Sequence, residues 1–284
     1  MNEKRLIIRT DDVGFCHGAN AAIERILTEG VVTAVSVIAN TPWAEEASRI
    51  LKRFPDVSVG VHSCLNAEWE EYRWGPVSPR DQVKSLVDSL GRFFGSRKLL
   101  MQRRPLLNEV ETEIRSQVEQ VMTLGLNPSY IDTHMGTTIS TREFQEIIER
   151  LADHYRLGIS RYFGEIFLPS VYALPPEEKT AAAIKALEDI SEPGLYIMVF
   201  HPGTDSPEMA AMNDVNAFGL QTMSKHRQAE TDVLCSGEFK AAIFENDFKL
   251  TDYNELLRES FDKMKRPFTS ADYEEVVWEA IQEK

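Results

Sequence analysis

The sequence predicts a single α/β domain over residues 1–284, a barrel of parallel strands that is closed or imperfectly closed. Strand-like apolar runs alternate with amphipathic helical stretches along most of the chain. No repeat, low-complexity tract or flexible linker divides it, so one domain is expected. Polar side chains directly follow several of the apolar runs. Because the carboxyl ends of parallel strands meet at one rim, these side chains are candidates for a shared site.

The first part of the chain shows this alternation most regularly. Aliphatic and β-branched runs predict strands, and apolar residues at helical spacing predict helices. In order, these are a strand at 5–10, a helix at 18–29 ended by Gly30, a strand at 33–40, a helix from Pro42 to about 54, and a strand at 58–61.

The longest interruption of the pattern runs from Cys64 to about Pro105. It contains several aromatic and proline residues early on, and one short helical pattern near 82–90. Long ordered loops in compact domains commonly form lids or walls of functional sites. The next predicted element is an amphipathic helix at 106–124, whose apolar residues share one stripe.

The second half is less regular but keeps the same alternation. The predicted elements are a strand at 130–133, a helix at 142–155, short runs at 158–162 and 165–168, a helix at 177–190 and a strand at 195–200. The last strand is apolar throughout, which indicates a strand covered on both faces. From about residue 257 we expect a helical tail, including 273–278, that packs on the barrel or on another subunit.

Composition excludes several classes of function. The net charge of −14 argues against nucleic acid and against anionic membranes as partners, because both attract basic surfaces. No stretch approaches the roughly 20 apolar residues of a membrane span, and the first strand-like run begins too early to leave room for a signal peptide. A cytoplasmic protein is therefore expected. The cysteines Cys16, Cys64 and Cys235 show no metal-binding spacing and are predicted to be reduced packing residues.

Four polar clusters at the ends of strand-like runs are the candidate functional residues. They are Asp11 with Asp12 after 5–10, His62 after 58–61, His134 after 130–133, and His201 after 195–200. Taken singly, each is more commonly a hydrogen-bonded structural residue. Taken together, they offer a carboxylate and two imidazoles for a metal ion, with a spare carboxylate and a spare imidazole as an acid/base pair.

Asp11 and Asp12 are expected to have different tasks. Adjacent carboxylates repel one another, and neighbouring strand residues point to opposite sides. One could bind a divalent cation while the other takes a proton from a water molecule beside it. The alternative is that the pair caps the following helix.

Two further details concern the histidines. Asp132 and His134 lie two residues apart, so the strand period places them on one face, where Asp132 could orient the His134 ring or simply be solvated. Pro202 fixes the chain after His201, and a rigidly held imidazole suits a proton donor. A buried structural histidine would show the same pattern.

At these residues the chain resembles the YdjC/ChbG family of carbohydrate deacetylases. The motifs are TDDVG around Asp11 and Asp12, GVHSCLN around His62, YIDTHMG around His134, FHPG around His201, and RQAETDVL from Arg227. They occur in family order between about residues 6 and 256.

The resemblance implies a TIM-barrel-like fold and removal of the acetyl group from an N-acetylated sugar, typically of the chitooligosaccharide type. Carried over motif by motif, it makes Asp12, His62 and His134 ligands of one divalent metal ion, Mg²⁺ or Zn²⁺. It makes Asp11 the catalytic base, which deprotonates a metal-activated water, and His201 the acid that protonates the leaving amine. It also makes a homodimer plausible.

The chain departs from the family pattern at two places. Family members often have further histidines soon after the residue matching His134, whereas Met135, Gly136 and Thr137 follow it here. The stretch after His62 is rich in aromatic residues. Trp69, Tyr72 and Trp74 are candidates for stacking on sugar rings, or equally for packing the long loop.

Arg227 and Glu230 are spaced to share one helical face. A salt bridge between them is the favoured prediction, and contact with substrate is the alternative.

Three other functions remain open on the sequence. These are a glycoside hydrolase with two carboxylic acids and no metal, a metal-dependent hydrolase of another amide or ester, and a catalytically silent carbohydrate-binding protein.

Overall fold

The structure of this protein is a computed structural model that describes residues 3–217, 219–261 and 264. Within that part of the chain, strands and helices alternate as the sequence predicts. The strands are β1 (Lys4–Val13), β2 (Ala34–Val37), β3 (Ser58–Ser63), β4 (Pro128–Thr133), β5 (Gly158–Ile159), β6 (Ile166–Phe167), β7 (Gly194–Phe200) and β8 (Phe248–Leu250).

The α-helices lie mostly between these strands. They are α1 (His17–Glu29), α2 (Ala44–Leu51), α3 (Arg97–Gln102), α4 (Leu107–Thr123), α5 (Arg142–Tyr155), α6 (Lys179–Glu188), α7 (Pro207–Ala210), α8 (Met223–Cys235), α9 (Gly237–Glu245) and α10 (Tyr253–Ser260). None of the helices in the described residues is long and apolar enough to span a membrane.

All strand pairs are parallel, and the order across the sheet is β5, β4, β3, β2, β1, β7, β6. The two-residue strands β5 and β6 stand at opposite edges and are not paired with each other among the described residues. The architecture is therefore an α/β barrel that is open between β5 and β6. The predicted class, an α/β fold with parallel strands, is confirmed. The barrel is imperfectly closed.

Strand β1 runs through the centre of the sheet and has three partners. Along one edge it pairs with β7 from Lys4↔Gly194 to Thr10↔Phe200. Along the other edge its first residues pair with β8, and its later residues pair with β2. The carboxyl end of β1 therefore lies between those of β2 and β7.

Two apolar layers cover the two faces of the sheet. The larger layer lies between the sheet and the helices and includes Ile8, Val35, Val61 and Leu187. The smaller one fills the barrel interior and contains Ile7, Ala34, Tyr130, Leu195, Ile197, Tyr253 and Leu256. A parallel sheet with both faces buried accounts for the continuous apolar run of β7.

Helix α10 contributes to the interior rather than forming an appended tail. The Tyr253 ring stacks on Tyr130 with centroids 4.0 Å apart, and its hydroxyl donates to Ser160 Oγ at 3.1 Å. The predicted tail from about 257 overlaps only the end of this helix, and 273–278 lies outside the described residues.

The long loop after β3 is pinned to helix α4 by buried polar side chains. Glu113 accepts hydrogen bonds from the backbone N–H groups of Val77 and Ser78, each at 3.0 Å. Gln117 bonds both the N–H and the C=O of Cys64. The helical pattern predicted near 82–90 is instead a pair of short 3₁₀ turns, Arg80–Gln82 and Lys84–Leu86.

Candidate active site at the barrel rim

The structure brings the predicted polar clusters to one rim. Asp11 and Asp12 end β1, His62 lies in β3, and His134 directly follows β4. His201 follows β7, which is in register with β1 at Thr10↔Phe200, so His201 emerges beside Asp11. Convergence follows from parallel pairing, because each strand delivers its carboxyl end to the same edge.

A break in strand regularity places Asp12 beside the histidines. The register of β1 with β2 shifts between Thr10 and Val13, and Asp12 has a positive φ of 62°. Such bulges re-aim side chains near active sites. Strict alternation would send Asp11 and Asp12 to opposite sides, and that expectation is wrong here, because both buried carboxylates place an oxygen within 4.8 Å of a ring nitrogen of His62.

Neither carboxylate caps the helix that follows. The N-cap of α1 is Cys16, whose sulfur accepts from the Ala19 N–H. Gly14, at φ +95°, lets the chain turn, and its N–H donates to Asn20 Oδ1 at 2.9 Å. The capping alternative for Asp11 and Asp12 is therefore wrong.

Asp12, His62 and His134 form a compact group of metal-ligand atoms. One donor atom from each lies within 4.8 Å of the others, and all three residues are buried. Asp12 Oδ1 is 3.0 Å from His134 Nδ1 and 3.4 Å from His62 Nε2. A carboxylate and two imidazoles suit a divalent cation such as zinc, and with water also magnesium. The residues present therefore fit the metal that the sequence predicts.

Arg227 holds the second oxygen of Asp12. Its Nη2 donates to Asp12 Oδ2 at 2.6 Å, and its guanidinium lies over the Phe15 ring with its Cζ 4.8 Å from the centroid. Burial alone would raise the pKa of the Asp12 carboxyl, but Arg227 and the imidazoles hold that pKa well below its usual range. Asp12 is thus kept ionised, with Oδ1 directed at the histidines.

His62 is oriented by Asp132, its neighbour on the next strand. Register pairs His62 with Asp132 across β3 and β4, and His62 Nδ1 is 2.9 Å from Asp132 Oδ1. Burial disfavours the charged ring, but Asp132 and Asp11 outweigh it and raise the pKa of His62 to about 9. The expectation that Asp132 orients His134 is wrong, because Asp132 Oδ1 bonds His62 on the adjacent strand, whereas His134 lies beyond the end of β4 and its ring nitrogens face Asp12 and Glu68.

His134 has a different partner, Glu68, which the sequence analysis did not identify. His134 Nε2 lies 3.0 Å from Glu68 Oε2, and the carboxylate is buried. The chain leaves β4 through Met135 and Gly136, both with positive φ. Glu68 lies in the same loop as the aromatic residues Trp69, Tyr72 and Trp74. This loop has no periodic pattern, so the sequence does not indicate which of its side chains are directed into the protein.

Asp11 and Asp132 are joined by Arg9 from the barrel interior. Arg9 donates to Asp11 from Nε at 2.8 Å and from Nη2 at 3.0 Å, and its Nε is 3.2 Å from Asp132 Oδ2. Asp11, His62 and Asp132 have the spacing of a second metal-ligand group. In that second group the Arg9 guanidinium contacts both carboxylates and supplies the positive charge that a metal ion would otherwise provide.

His201 is more accessible than the other residues of the site. Its side chain is 26% exposed, compared with 5% for Asp12, 2% for His62 and 4% for His134. The His201 backbone N–H donates to Glu230 Oε2 at 2.5 Å, and the His201 ring meets Tyr172 edge-on with centroids 4.9 Å apart. Burial lowers the pKa of the His201 imidazole from its ordinary value, although the nearby carboxylates oppose that shift.

Arg227 and Glu230 do not form the predicted salt bridge. Arg227 pairs with Asp12, as described above, and Glu230 pairs with the fully buried Lys179 at 2.7 Å. Both side chains point into the protein. Their oppositely charged partners there, Asp12 and Lys179, replace the neighbouring residue on the helix as ion-pair partners. Helix α8 therefore contributes to both the proposed ligand Asp12 and the His201 backbone.

The three aromatic residues after His62 lie near the site but are held in packing contacts. Trp69 and Trp74 are 2% and 5% exposed, and Trp69 stacks with Phe15. The Tyr72 hydroxyl donates to the Phe15 carbonyl at 2.5 Å. This burial favours the packing alternative for Trp69 and Trp74, while Tyr72 is only partly buried.

Comparison with known proteins finds relatives that are named carbohydrate deacetylases. A carbohydrate deacetylase from Brevibacillus brevis is 27% identical over 268 residues, which cover 89% of this chain and 99% of that protein. A carbohydrate deacetylase from Enterococcus faecalis is 26% identical over 280 residues, covering 90% and 99%. One from Geobacillus stearothermophilus is 33% identical over 153 residues, 54% of this chain and 58% of that protein.

A solved structure shares the fold. The crystal structure of a candidate cellobiose-phosphate cleavage protein from Enterococcus faecalis superimposes with a TM-score of 0.76 at 24% identity, covering 89% of this chain and 99% of the other. The family model described as YdjC-like protein matches residues 5–245, from β1 to the end of α9. The resemblance predicted from the sequence motifs is thereby confirmed, and the chain belongs to the YdjC-like family.

Proposed function

We propose that this protein hydrolyses the acetamido group of an N-acetylated sugar or chitooligosaccharide, with a divalent metal ion bound by Asp12, His62 and His134. The observation that carries the proposal is the compact buried ligand group, with Asp11 and His201 at the carboxyl ends of the adjacent strands β1 and β7. Relatives that cover nearly the whole chain are named carbohydrate deacetylases, which supports this reaction over other hydrolyses.

The chemistry needs a base, an acid and stabilisation of negative charge. A divalent ion held by these residues would supply Lewis-acid stabilisation of the developing oxyanion. Asp11 accepts the proton of the attacking water, whose oxygen adds to the acetyl carbon. The amide C–N bond then breaks, and His201 donates a proton to the departing sugar nitrogen. The products are acetate and the free amino sugar.

The surroundings of Asp11 suit a base that must keep one orientation. Arg9 donates to both of its carboxylate oxygens, and Arg9 is itself fixed by a 2.8 Å hydrogen bond to Ser160 Oγ. The side chain thus rests on the barrel interior, below the ligand group. A positioned proton acceptor of this kind contributes about 10²–10⁴-fold to rate.

His201 suits the acid because substrate can reach it. Its partial exposure contrasts with the buried ligands, and Glu230 fixes the backbone from which its ring projects. The lowered pKa of the imidazole makes the protonated ring a stronger acid than ordinary histidine.

An acetate-release assay tests the proposal. The purified protein, stripped with a chelator and reloaded with Zn²⁺ or Mg²⁺, is incubated with N-acetylglucosamine and its short β-1,4 oligomers. We expect acetate in the reloaded samples and none in the stripped ones, and Asp11→Asn as the matched inactive control. The metal that restores the faster rate, together with elemental analysis of protein purified without added metal, identifies the ion.

Each alternative gives a different product. Shortened sugars without acetate, formed equally in the presence of chelator, would indicate a glycoside hydrolase. Release of other acyl groups, with N-acetylated sugars left intact, would indicate a different amide or ester hydrolase. No product from any of these substrates would favour a silent carbohydrate-binding protein.

A further inference from the structure

We infer that Glu68 is a positioning residue for the metal: it fixes the His134 ring so that Nδ1, and not Nε2, is the ligand atom. The inference rests on the proposed function, because it concerns how one ligand of that metal site is held. Glu68 belongs to no sequence motif used above, and its contact is visible only in the structure.

The geometry separates the two nitrogens of His134. Nε2 lies 3.0 Å from Glu68 Oε2, whereas Nδ1 lies 3.0 Å from Asp12 Oδ1, on the opposite side of the ring. A neutral imidazole carries one proton. If Nε2–H donates to Glu68, the Nδ1 lone pair faces the ligand group.

Glu68 itself does not belong to the ligand group. The compact set of donor atoms within 4.8 Å contains Asp12, His62 and His134. Glu68 approaches His134 from the side remote from Asp12. Its effect on a metal ion is therefore exerted through the imidazole, which it orients and makes more electron-rich.

The other imidazole of the site shows the same arrangement. His62 turns Nε2 toward Asp12, and its Nδ1 lies 2.9 Å from Asp132 Oδ1. Each ring thus has one nitrogen toward Asp12 and the other beside a buried carboxylate. Metal-binding histidines almost always have such a partner. Because Glu68 and Asp132 come from two different segments and make the same contact, the repetition supports the same positioning role for both carboxylates.

The segment that carries Glu68 is held tightly enough to fix a ring. The Glu68 carbonyl accepts from the Val215 N–H at 2.7 Å, and the preceding N–H of Ala67 donates to Phe94 O at 2.9 Å. Asn66 Nδ2 lies 3.4 Å from Glu68 Oε2. A buried carboxylate is costly without a partner, and the ion-pair partner shown for Glu68 in the described part of the chain is His134.

Zinc affinity measures this role directly. Competition with a chromophoric chelator gives the Zn²⁺ dissociation constant of the parent protein, Glu68→Ala and Glu68→Gln. We expect Glu68→Ala to bind about 10–100-fold more weakly. Glu68→Gln keeps the shape and an acceptor oxygen, so it should fall between Glu68→Ala and the parent. The matched control is Glu70→Gln, two residues along the same loop with an exposed side chain, which should bind zinc like the parent.

A second measurement does not depend on the variants folding. Long-range ¹H–¹⁵N spectra of the zinc-loaded parent protein, with ¹⁵N-labelled histidine, report which nitrogen of each ring carries a proton. We expect His134 as the Nε2–H form with zinc on Nδ1, and His62 as the Nδ1–H form with zinc on Nε2. A purely structural role for Glu68 predicts neither assignment.

The outcomes separate the inference from the proposed function. Parent-like zinc affinity in Glu68→Ala, or zinc on Nε2 of His134, overturns the inference and leaves the proposed deacetylase unaffected. Failure of the parent protein to bind zinc or magnesium overturns the proposed metal site and the inference with it.

Discussion

The two imidazoles of the proposed metal site have equivalent neighbours but are held by different kinds of structure. His62 lies within β3, and its partner Asp132 is the paired residue on β4. His134 lies just beyond β4, and its partner Glu68 belongs to the long loop after β3. We call Arg9, Asp11, His62 and Asp132 the strand-held half, and Glu68, His134, His201 and Glu230 the outer half.

The difference concerns which forces fix each half. The strand-held half is set by sheet register, so its members remain neighbours as long as the sheet forms. The outer half depends on connections and helices that meet over the rim, with Lys179 and Glu230 buried between them. Connections of this kind open locally at lower free energy than core strands. Substitutions in the two halves should therefore impair different properties of the protein.

The largest expected effect separates catalysis from metal binding. Asp11→Asn, in the strand-held half, should keep the metal and reduce the rate of acetate release by about 10²–10⁴-fold, because only the proton acceptor is lost. His134→Ala, in the outer half, should lose the metal itself. Activity assays together with elemental analysis of both variants measure this. Equal metal loss in the two variants would contradict the division of roles between Asp11 and the ligands.

Breaking the buried ion pair of the outer half should destabilise the fold. Lys179→Met leaves the Glu230 carboxylate buried without its cation, which costs about 3–5 kcal/mol in the free energy of unfolding. Urea denaturation measures this loss of free energy of unfolding, and the control is Lys185→Met, on the exposed face of the same helix. Adding Glu230→Gln should recover part of the loss, because the uncompensated charge is removed. Equal stability of the two lysine variants would show that the pair is not needed.

A steric change in the barrel interior should have a smaller effect on stability. A Cβ added at Gly60 would lie 2.3 Å from Cζ of Tyr130, so the ring must move. We expect Gly60→Ala to lower the free energy of unfolding by about 1–3 kcal/mol, measured by urea denaturation. Gly237→Ala is the control, because no atom lies within 4 Å of its added Cβ. Parent-like stability of Gly60→Ala would mean that the barrel interior beneath the strand-held half tolerates repacking.

The smallest expected effect is a shift in the titration of His201. Burial lowers the pKa of this imidazole, so NMR titration of the metal-free protein should give a midpoint below the ordinary value of about 6.5. Glu230→Gln should lower it further, because a negative neighbour that favours the charged ring is removed. Glu238→Gln, exposed on α9, should leave it unchanged. An upward shift in Glu230→Gln would show that the contact does not act through charge.

The sequence predicts the strand-end residues of both halves better than the partners that hold them, for physical reasons. Apolar periodicity and the polar residues at strand ends locate Asp11, Asp12, His62, His134 and His201. Strand register is a tertiary property that local periodicity does not contain. The sequence therefore predicts His134 as the partner of Asp132, whereas the structure pairs Asp132 with His62. The bulge at Asp12 follows from pairing with β2 and has no local signal.

Two buried charged residues near the site have no indication in the sequence. Glu68 and Lys179 are charged residues in a loop and a helix, where solvent exposure is the ordinary expectation. Both are buried because a side chain from a distant segment pairs with them, His134 with Glu68 and Glu230 with Lys179. Pairing of this sort leaves no mark on local periodicity. The same reason explains the wrong prediction of an Arg227 to Glu230 bridge.

Strand β8 and helix α10 lie beyond residue 245, where the family match ends, yet β8 pairs with β1 and α10 places Tyr253 and Leu256 in the barrel interior. Tyr253 reaches Ser160, which in turn receives the hydrogen bond of Arg9, the residue that holds Asp11. A growing chain emerges from the ribosome with Asp11 first and Tyr253 more than two hundred residues later. The support beneath the proposed base can therefore be completed only after Tyr253 has been synthesised, so the site should gain its final geometry long after Asp11 itself has emerged.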